Sequence, residues 1–235
     1  SVPGNPPAGV QATVARPTLI TWILATLLGC TPPPSPESDQ LVILISIDTL
    51  RADHLGGYDH PWVQTPNIDQ LAADGELFRR QVSAAPTTLN SHTSIMTGTY
   101  PHRHGVPRNG YVVDPQNLML AEMFQSNDWQ TGAFIAGYPL HSRFGFNQGF
   151  DDYDEEFQAE SAGISVRHSQ RDGEAVTDAT LGWLDRKFNK ATFLFVHYFD
   201  VHLPYVVPEP YHSQYLKQDS VMKGTTEDVA KVQRR

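Results

Sequence analysis

Apolar runs that end in aspartate, separated by stretches of helical spacing, predict an α/β chain with a mostly parallel sheet and helices on both faces. Two runs carry this expectation. Leu41–Ile47 is apolar apart from Ser46 and rich in β-branched residues, as in a parallel strand buried on both faces, and it stops at Asp48. Residues 192–199 form a second such run, which stops at Asp200. Open parallel sheets bind ligands at the carboxyl ends of their strands, so Asp48 and Asp200 mark the edge where a site is expected.

The first forty residues are of another kind. Residues 1–17 are rich in Pro, Ala and Gly, and residues 19–29 form a nearly uncharged apolar run that ends at Cys30. That run is shorter than the roughly 20 residues that span a bilayer. With Arg16 before it and small residues after it, it reads as the core of a secretory signal. Its end, Leu27-Leu28-Gly29-Cys30, resembles a bacterial lipoprotein signal. That resemblance implies export to the periplasm or cell envelope, with a lipid on Cys30 as the membrane attachment. The competing reading is a disordered leader with a chance apolar patch. Residues 1–30 are thus expected to be a leader, residues 31–40, with four prolines, an extended tether, and residues 41–235 the folded domain.

Within the domain, Thr65 as N-cap, Pro66 at the first helical position, apolar Ile68, Leu71 and Ala72, and Gly75 past the end define a short helix. A second helix is expected from Leu89 to Met96, stopped at Gly98. Residues 118–124 read as helical and residues 131–136 as a strand, and Val176, Ala179, Trp183 and Leu184 follow helical spacing before the strand at 192–199. The acidic cluster Asp151, Asp152, Asp154, Glu155 and Glu156 reads as a solvated loop. Residues 209–235 are polar and weakly patterned.

Composition narrows the function. With 17 basic and 26 acidic side chains the formal charge is −9, which argues against a general polyanion binder, so no nucleic acid is expected as a partner. One cysteine excludes an internal disulfide framework and a thiolate-only zinc site, so any metal must sit on oxygen or imidazole. Strand-end Asp48 leads into the polar loop Thr49-Leu50-Arg51-Ala52-Asp53-His54, of a kind that holds a hard cation or a phosphate, although a lone strand-end aspartate is common. Residues 85–98 place hydroxyls at the entry to a helix whose free N–H groups can hold an anion; capping alone would also explain Thr87 or Thr88.

Taken in order, residues 43–53, Thr65-Pro66-Asn67-Ile68-Asp69, residues 88–98 and Tyr100-Pro101-His102-Arg103-His104-Gly105-Val106 resemble the N-terminal half of the sulfatase family, within the alkaline phosphatase superfamily. Arg143-Phe144-Gly145, Gly149-Phe150-Asp151 and Asp200-Val201-His202-Leu203-Pro204-Tyr205 extend the likeness over most of residues 41–208. It implies an alkaline-phosphatase-like fold and hydrolysis of a sulfate or phosphate ester of a small molecule, glycan or lipid. It also implies a divalent metal ion: calcium, or zinc, manganese or magnesium.

The departures from the family pattern shape the mechanism. Sulfatases carry a Cys or Ser, converted to formylglycine, ten residues before the glycine of the Thr-Gly pair, with Arg four residues later; Thr88 and His92 stand at those places. Relatives in the superfamily use a metal-bound threonine as nucleophile, so Thr88 is the expected nucleophile and metal ligand, with His92 beside it as a catalytic partner. Asp48 matches the first metal-binding aspartate, while Thr49 replaces a second one. His202 matches a histidine that contacts the sulfate or phosphate group. His54, His60, His141, His168 and His212 read as ordinary surface or core side chains. No Asp-His-Gly segment, which completes the family's metal site, occurs in the sequence, which implies a domain incomplete at its C-terminus or a degenerate relative. Group transfer to an acceptor alcohol and a catalytically silent anion-binding fragment remain the competing readings. If Asp48 and Thr88 share a cation, their oxygens must lie within about 5 Å of each other, with His202 lining the same cleft.

Overall fold

The computed structural model describes residues 39–61, 63–157, 170–186, 189–203, 205 and 207–215. The leader, Cys30 and most of the tether lie outside them. In chain order the elements are β1 (Leu41–Ile47), α1 (Pro66–Asp74), α2 (Thr88–Thr97), α3 (Pro101–His104), α4 (Leu120–Ser126), β2 (Gln130–Ile135), β3 (Asp152–Asp154), α5 (Gly173–Leu184), β4 (Thr192–Tyr198) and α6 (Tyr211–Tyr215), with short 3-10 turns between them. The four strands form one parallel sheet in the order β1-β4-β2-β3. The α/β class and the parallel sheet therefore stand as read from sequence.

Strand alternation assigns the two faces. Ala133, Ile135 and Phe195 pack with Leu89 and Met96 of α2 and with Met119 before α4. Their neighbours Phe134, Leu194 and Val196 point the other way, onto Val176 and Trp183 of α5. Because each face of β2 and β4 meets a helix, both strands can be apolar along their whole length. The helix punctuation follows the sequence: α1 starts at Pro66, and α2 ends where Gly98 adopts the left-handed conformation (φ 64°). Thr65, however, does not cap α1 with its hydroxyl, which donates to Asp69 Oδ1 (2.9 Å) and accepts from the Gly56 N–H (2.9 Å).

Two expectations are corrected. The continuous apolar pattern of β1 implied burial on both faces, yet Leu41 is 49% and Ile45 54% exposed. Among the described residues β1 is an edge strand with β4 as its neighbour, and apolar patterning reports what a strand can bury rather than what covers it. The acidic cluster is not a solvated loop. Asp152–Asp154 is strand β3, and its carboxylates are used: Asp154 pairs with Arg171 (2.6 Å), and Asp152 accepts from Trp183 Nε1 and Arg186 Nη2 (2.9 Å each). Asp151 accepts the Thr131 N–H (3.0 Å) at the start of β2.

Gly149, just before β3, has φ 80°, and a Cβ there would lie 2.2 Å from Glu122 N and 2.6 Å from Ala121 C, both backbone atoms of α4 that cannot swing aside. Gly149→Ala should therefore cost at least about 2 kcal/mol, from overpacking together with the left-handed penalty, read as a fall in the urea midpoint at unchanged slope. An unchanged midpoint would mean that β3 and α4 are not packed this closely.

Candidate active site

The sheet ladder delivers Asp48 to its carboxyl edge. The Asp48 N–H donates to the Tyr198 carbonyl (2.9 Å), extending the β1–β4 pairing by one residue, and the Asp48 side chain is only 10% exposed. The chain then turns at Thr49, whose φ of 60° is strained for a β-branched residue. The Thr49 hydroxyl donates to the Val201 carbonyl (3.2 Å), tying this turn to the loop after β4. The Thr49 side chain thus serves the backbone.

Thr88 opens α2 and is buried. Its hydroxyl donates to Asp48 Oδ2 at 2.7 Å, across forty residues of sequence. A capping role would have turned that hydroxyl back to its own helix, but the helix start is fixed by others. The Thr87 N–H and hydroxyl both donate to Asn90 Oδ1 (3.2 and 2.7 Å), and Asn109 Oδ1 accepts the Leu89 N–H (2.7 Å). Burial by itself would raise the Asp48 carboxyl. The His197 ring and the Thr88 hydroxyl beside it outweigh burial and hold it below its ordinary value, so it is ionised at neutral pH.

His92 lies one turn along α2 with both ring nitrogens engaged. Nδ1 donates to the Thr88 carbonyl (2.7 Å), since a carbonyl can only accept, and Nε2 therefore accepts from the Ser46 hydroxyl (2.7 Å). Burial, then the neighbouring His197, lowers its pKa to about 4. His92 is thus a neutral clamp between α2 and β1, and neither ring nitrogen is bonded to the Thr88 hydroxyl as a general base would be.

His202 lies in the loop after β4, at the same sheet edge. Its ring stacks on Phe199 (centroids 4.1 Å apart, 18°), and its Nδ1 donates to the Leu203 carbonyl (2.7 Å). Among the described residues it has no hydrogen bond or ion pair to Asp48 or Thr88. Asp200 accepts the Gly173 N–H (2.8 Å) at the start of α5, a structural task. The residue that the sequence reading missed is His197. It is wholly buried, and its Nε2 lies 3.4 Å from Asp48 Oδ2. A polar side chain inside an otherwise apolar strand was the available signal.

Two cavities are lined by residues close in sequence to this constellation. One, of about 540 Å³ and largely apolar, is lined by Thr49, Leu50, Leu55, Val63 and Val201; the other, of about 470 Å³, is lined by Asn109, Tyr138 and Arg143. Neither lining includes Asp48 or Thr88; the first cavity contains Thr49, the residue after Asp48, and the second contains Asn109, which accepts the Leu89 N–H (2.7 Å).

Residues 40–233 match the family model Sulfatase. The chain belongs to the sulfatase family. Within curated proteins of that family it is 29% identical over 164 residues to human arylsulfatase D, covering 61% of this chain and 28% of the relative. It is 29% identical over 161 residues to the pig (Sus scrofa) N-acetylgalactosamine-6-sulfatase, covering 59% of this chain and 30% of the relative. The chain thus spans less than a third of the length of these relatives. Among solved structures, the phosphonate monoester hydrolase of Agrobacterium radiobacter aligns with a TM-score of 0.60 at 23% identity, over 75% of this chain and 44% of that one, a likeness of fold.

Members of the family bind a divalent cation, and the donor set here suits a hard one in part. Asp48 and Thr88 offer two oxygens 2.7 Å apart, inside the limit for sharing one ion. Among the described residues no three His, Cys, Asp or Glu side chains gather to hold a metal.

Because His92 is lowered to about 4 in the fold, the unfolded chain binds more protons between about pH 4 and its ordinary 6.5. Its contribution to stability is therefore complete above about 6.5 and lost as pH falls towards 4, by up to about 3 kcal/mol. Denaturation followed from pH 7 to pH 4 should show this slope in the wild type and a shallower one in His92→Gln. Equal slopes would mean that His92 is not buried in its neutral form.

Proposed function

We propose that this chain carries the nucleophilic half of a metal-dependent hydrolase of sulfate or phosphate esters, with Thr88 as nucleophile. The observation that supports the reading is the 2.7 Å hydrogen bond from the Thr88 hydroxyl to Asp48 Oδ2, buried at the carboxyl edge of the sheet where ligands of such folds bind.

Thr88 Oγ1 attacks the phosphorus or sulfur atom, and its proton moves along the existing hydrogen bond towards Asp48 Oδ2. The bond from that atom to the alcohol oxygen breaks, and the alcohol leaves with a proton from water, whose hydroxide takes up the proton passed to Asp48. Water then hydrolyses the phospho- or sulfo-threonine and restores the hydroxyl. Asp48 and Thr88 would hold a divalent cation, which supplies electrostatic stabilisation of the ester oxygens and a more acidic hydroxyl. The Thr88 carbonyl is held by His92 Nδ1 and by the Ser91 hydroxyl (3.0 Å), so the nucleophile's backbone is fixed before substrate arrives. His202, at the neighbouring strand end, is the proposed contact for the anionic group once its ring leaves Phe199. The largely apolar cavity beside Thr49 takes the alcohol part of the ester. The leader ending at Cys30 would place the protein in the cell envelope, anchored by lipid.

The test is chemical. Incubation with p-nitrophenyl phosphate or p-nitrophenyl sulfate in the presence of Mn²⁺, followed by an acid quench, should leave a phosphoryl or sulfuryl adduct on the peptide containing Thr88, which is unmodified threonine beforehand. Thr88→Ala should abolish the adduct and lower kcat/KM by at least about 1000-fold, while Thr88→Ser retains turnover. Turnover by Thr88→Ala at the wild-type rate would refute the assignment.

A further inference from the structure

His197 is a buried histidine that the mechanism above leaves without a task. Both its ring nitrogens lack a hydrogen-bond partner among the described residues, a rare state for fully buried polar atoms and one that asks for an explanation. The ring is held on several sides. His92 meets it edge-on with centroids 4.9 Å apart, Phe199 lies at 5.9 Å, and a Cβ on Gly137 would come within 3.2 Å of Cε1. In that position Nε2 stands 3.4 Å from Asp48 Oδ2, near but not aligned for a full hydrogen bond. Oδ2 is also the oxygen that accepts the Thr88 hydroxyl, whereas Oδ1 has no partner among the described residues.

We propose that His197 is a positioning residue: its Nε2–H holds Asp48 by Oδ2, so that Oδ1 and the Thr88 hydroxyl stay directed together at the ligand. The tautomer follows from the contacts. A proton on Nε2 faces a carboxylate oxygen and leaves at most an unused acceptor at Nδ1. A proton on Nδ1 alone would bury a donor with no acceptor among the described residues and turn a lone pair towards the carboxylate. A small rotation of either side chain closes the 3.4 Å gap to hydrogen-bond length, and Asp48 then sits between two donors on one oxygen. The strand supports this. Ser46 and His197 are paired in the β1–β4 register, so the residue that holds His92 and the residue that holds Asp48 stand side by side.

The inference rests on the reading of Asp48 as a ligand of the reactive site, and two measurements on the full chain separate the two claims. Long-range ¹H–¹⁵N spectra of the imidazoles, recorded without added metal and assigned with His197→Leu, should show His197 protonated at Nε2, with that resonance moved by Asp48→Asn. An Nδ1-protonated ring, or a resonance indifferent to Asp48→Asn, overturns the proposal. Calorimetric titration with Mn²⁺ then tests the consequence. His197→Leu should weaken Mn²⁺ binding by about 10-fold or more, while His197→Gln, which keeps an N–H at similar reach, recovers most of it. Equal binding by wild type and His197→Leu overturns the positioning role. A wild type that binds no Mn²⁺ but shows the expected imidazole refutes the cation reading of Asp48 and leaves the contact with His197 standing.

Discussion

A carboxylate side chain only 10% exposed at the edge of a sheet needs donors aimed at it, and at Asp48 the closest is the hydroxyl of Thr88. That one hydrogen bond joins the end of β1 to the beginning of α2. The surrounding sequence can be understood as whatever keeps those two ends in register. The β1–β4 ladder continues through the Asp48 N–H and so sets the height of the carboxylate. The Thr87–Asn90 pair and Asn109 take over the start of α2, leaving Thr88 free for Asp48. Ser46 and His92 bind the same two elements one turn deeper. Each contact is modest alone, but together they hold the hydroxyl in place before any ligand binds.

The electrostatics point the same way. Asp48 stays ionised despite its burial, and His92 stays neutral because of its own. A neutral His92 can donate to the Thr88 carbonyl and accept from Ser46 together, which a charged ring with two donors could not do. One element of the site is thus an anion whose Oδ1 has no partner among the described residues, and its neighbour is a hydrogen-bonding wedge. This division of labour suits a centre that collects a cation and an anionic ester at one sheet edge.

Much of this was legible in the sequence. The strand that ends at Asp48 and the helix stopped by Gly98 follow from apolar runs, a glycine stop and the rule of strand ends, while the convergence of Asp48 with Thr88 is what the likeness to sulfatases implied. The likeness to sulfatases narrowed the chemistry further. Other features escaped because they depend on partners distant in the chain. The carboxylates of residues 151–154 looked solvated because Thr131, Arg171, Trp183 and Arg186, which engage them, are 17 to 34 residues away. His92 read as a catalytic partner because it stands at the place of the sulfatase arginine, while its ring bonds to Ser46 and to its own helix could not be seen. His197 was lost inside an apolar strand. The exposure of β1 could not be inferred from its pattern at all, since the pattern does not say what lies against it.

The central claim is that Thr88 and Asp48 act as one coupled unit, and a double-mutant cycle measures that directly. Urea unfolding of the wild type, Asp48→Ala, Thr88→Val and the double variant gives their interaction free energy. For a buried hydrogen bond to a charged acceptor the coupling should be at least about 1 kcal/mol, with the double variant less destabilised than the sum of the two single ones. Additivity to within about 0.3 kcal/mol would contradict the account, because the two side chains would then be neighbours at the sheet edge without being partners.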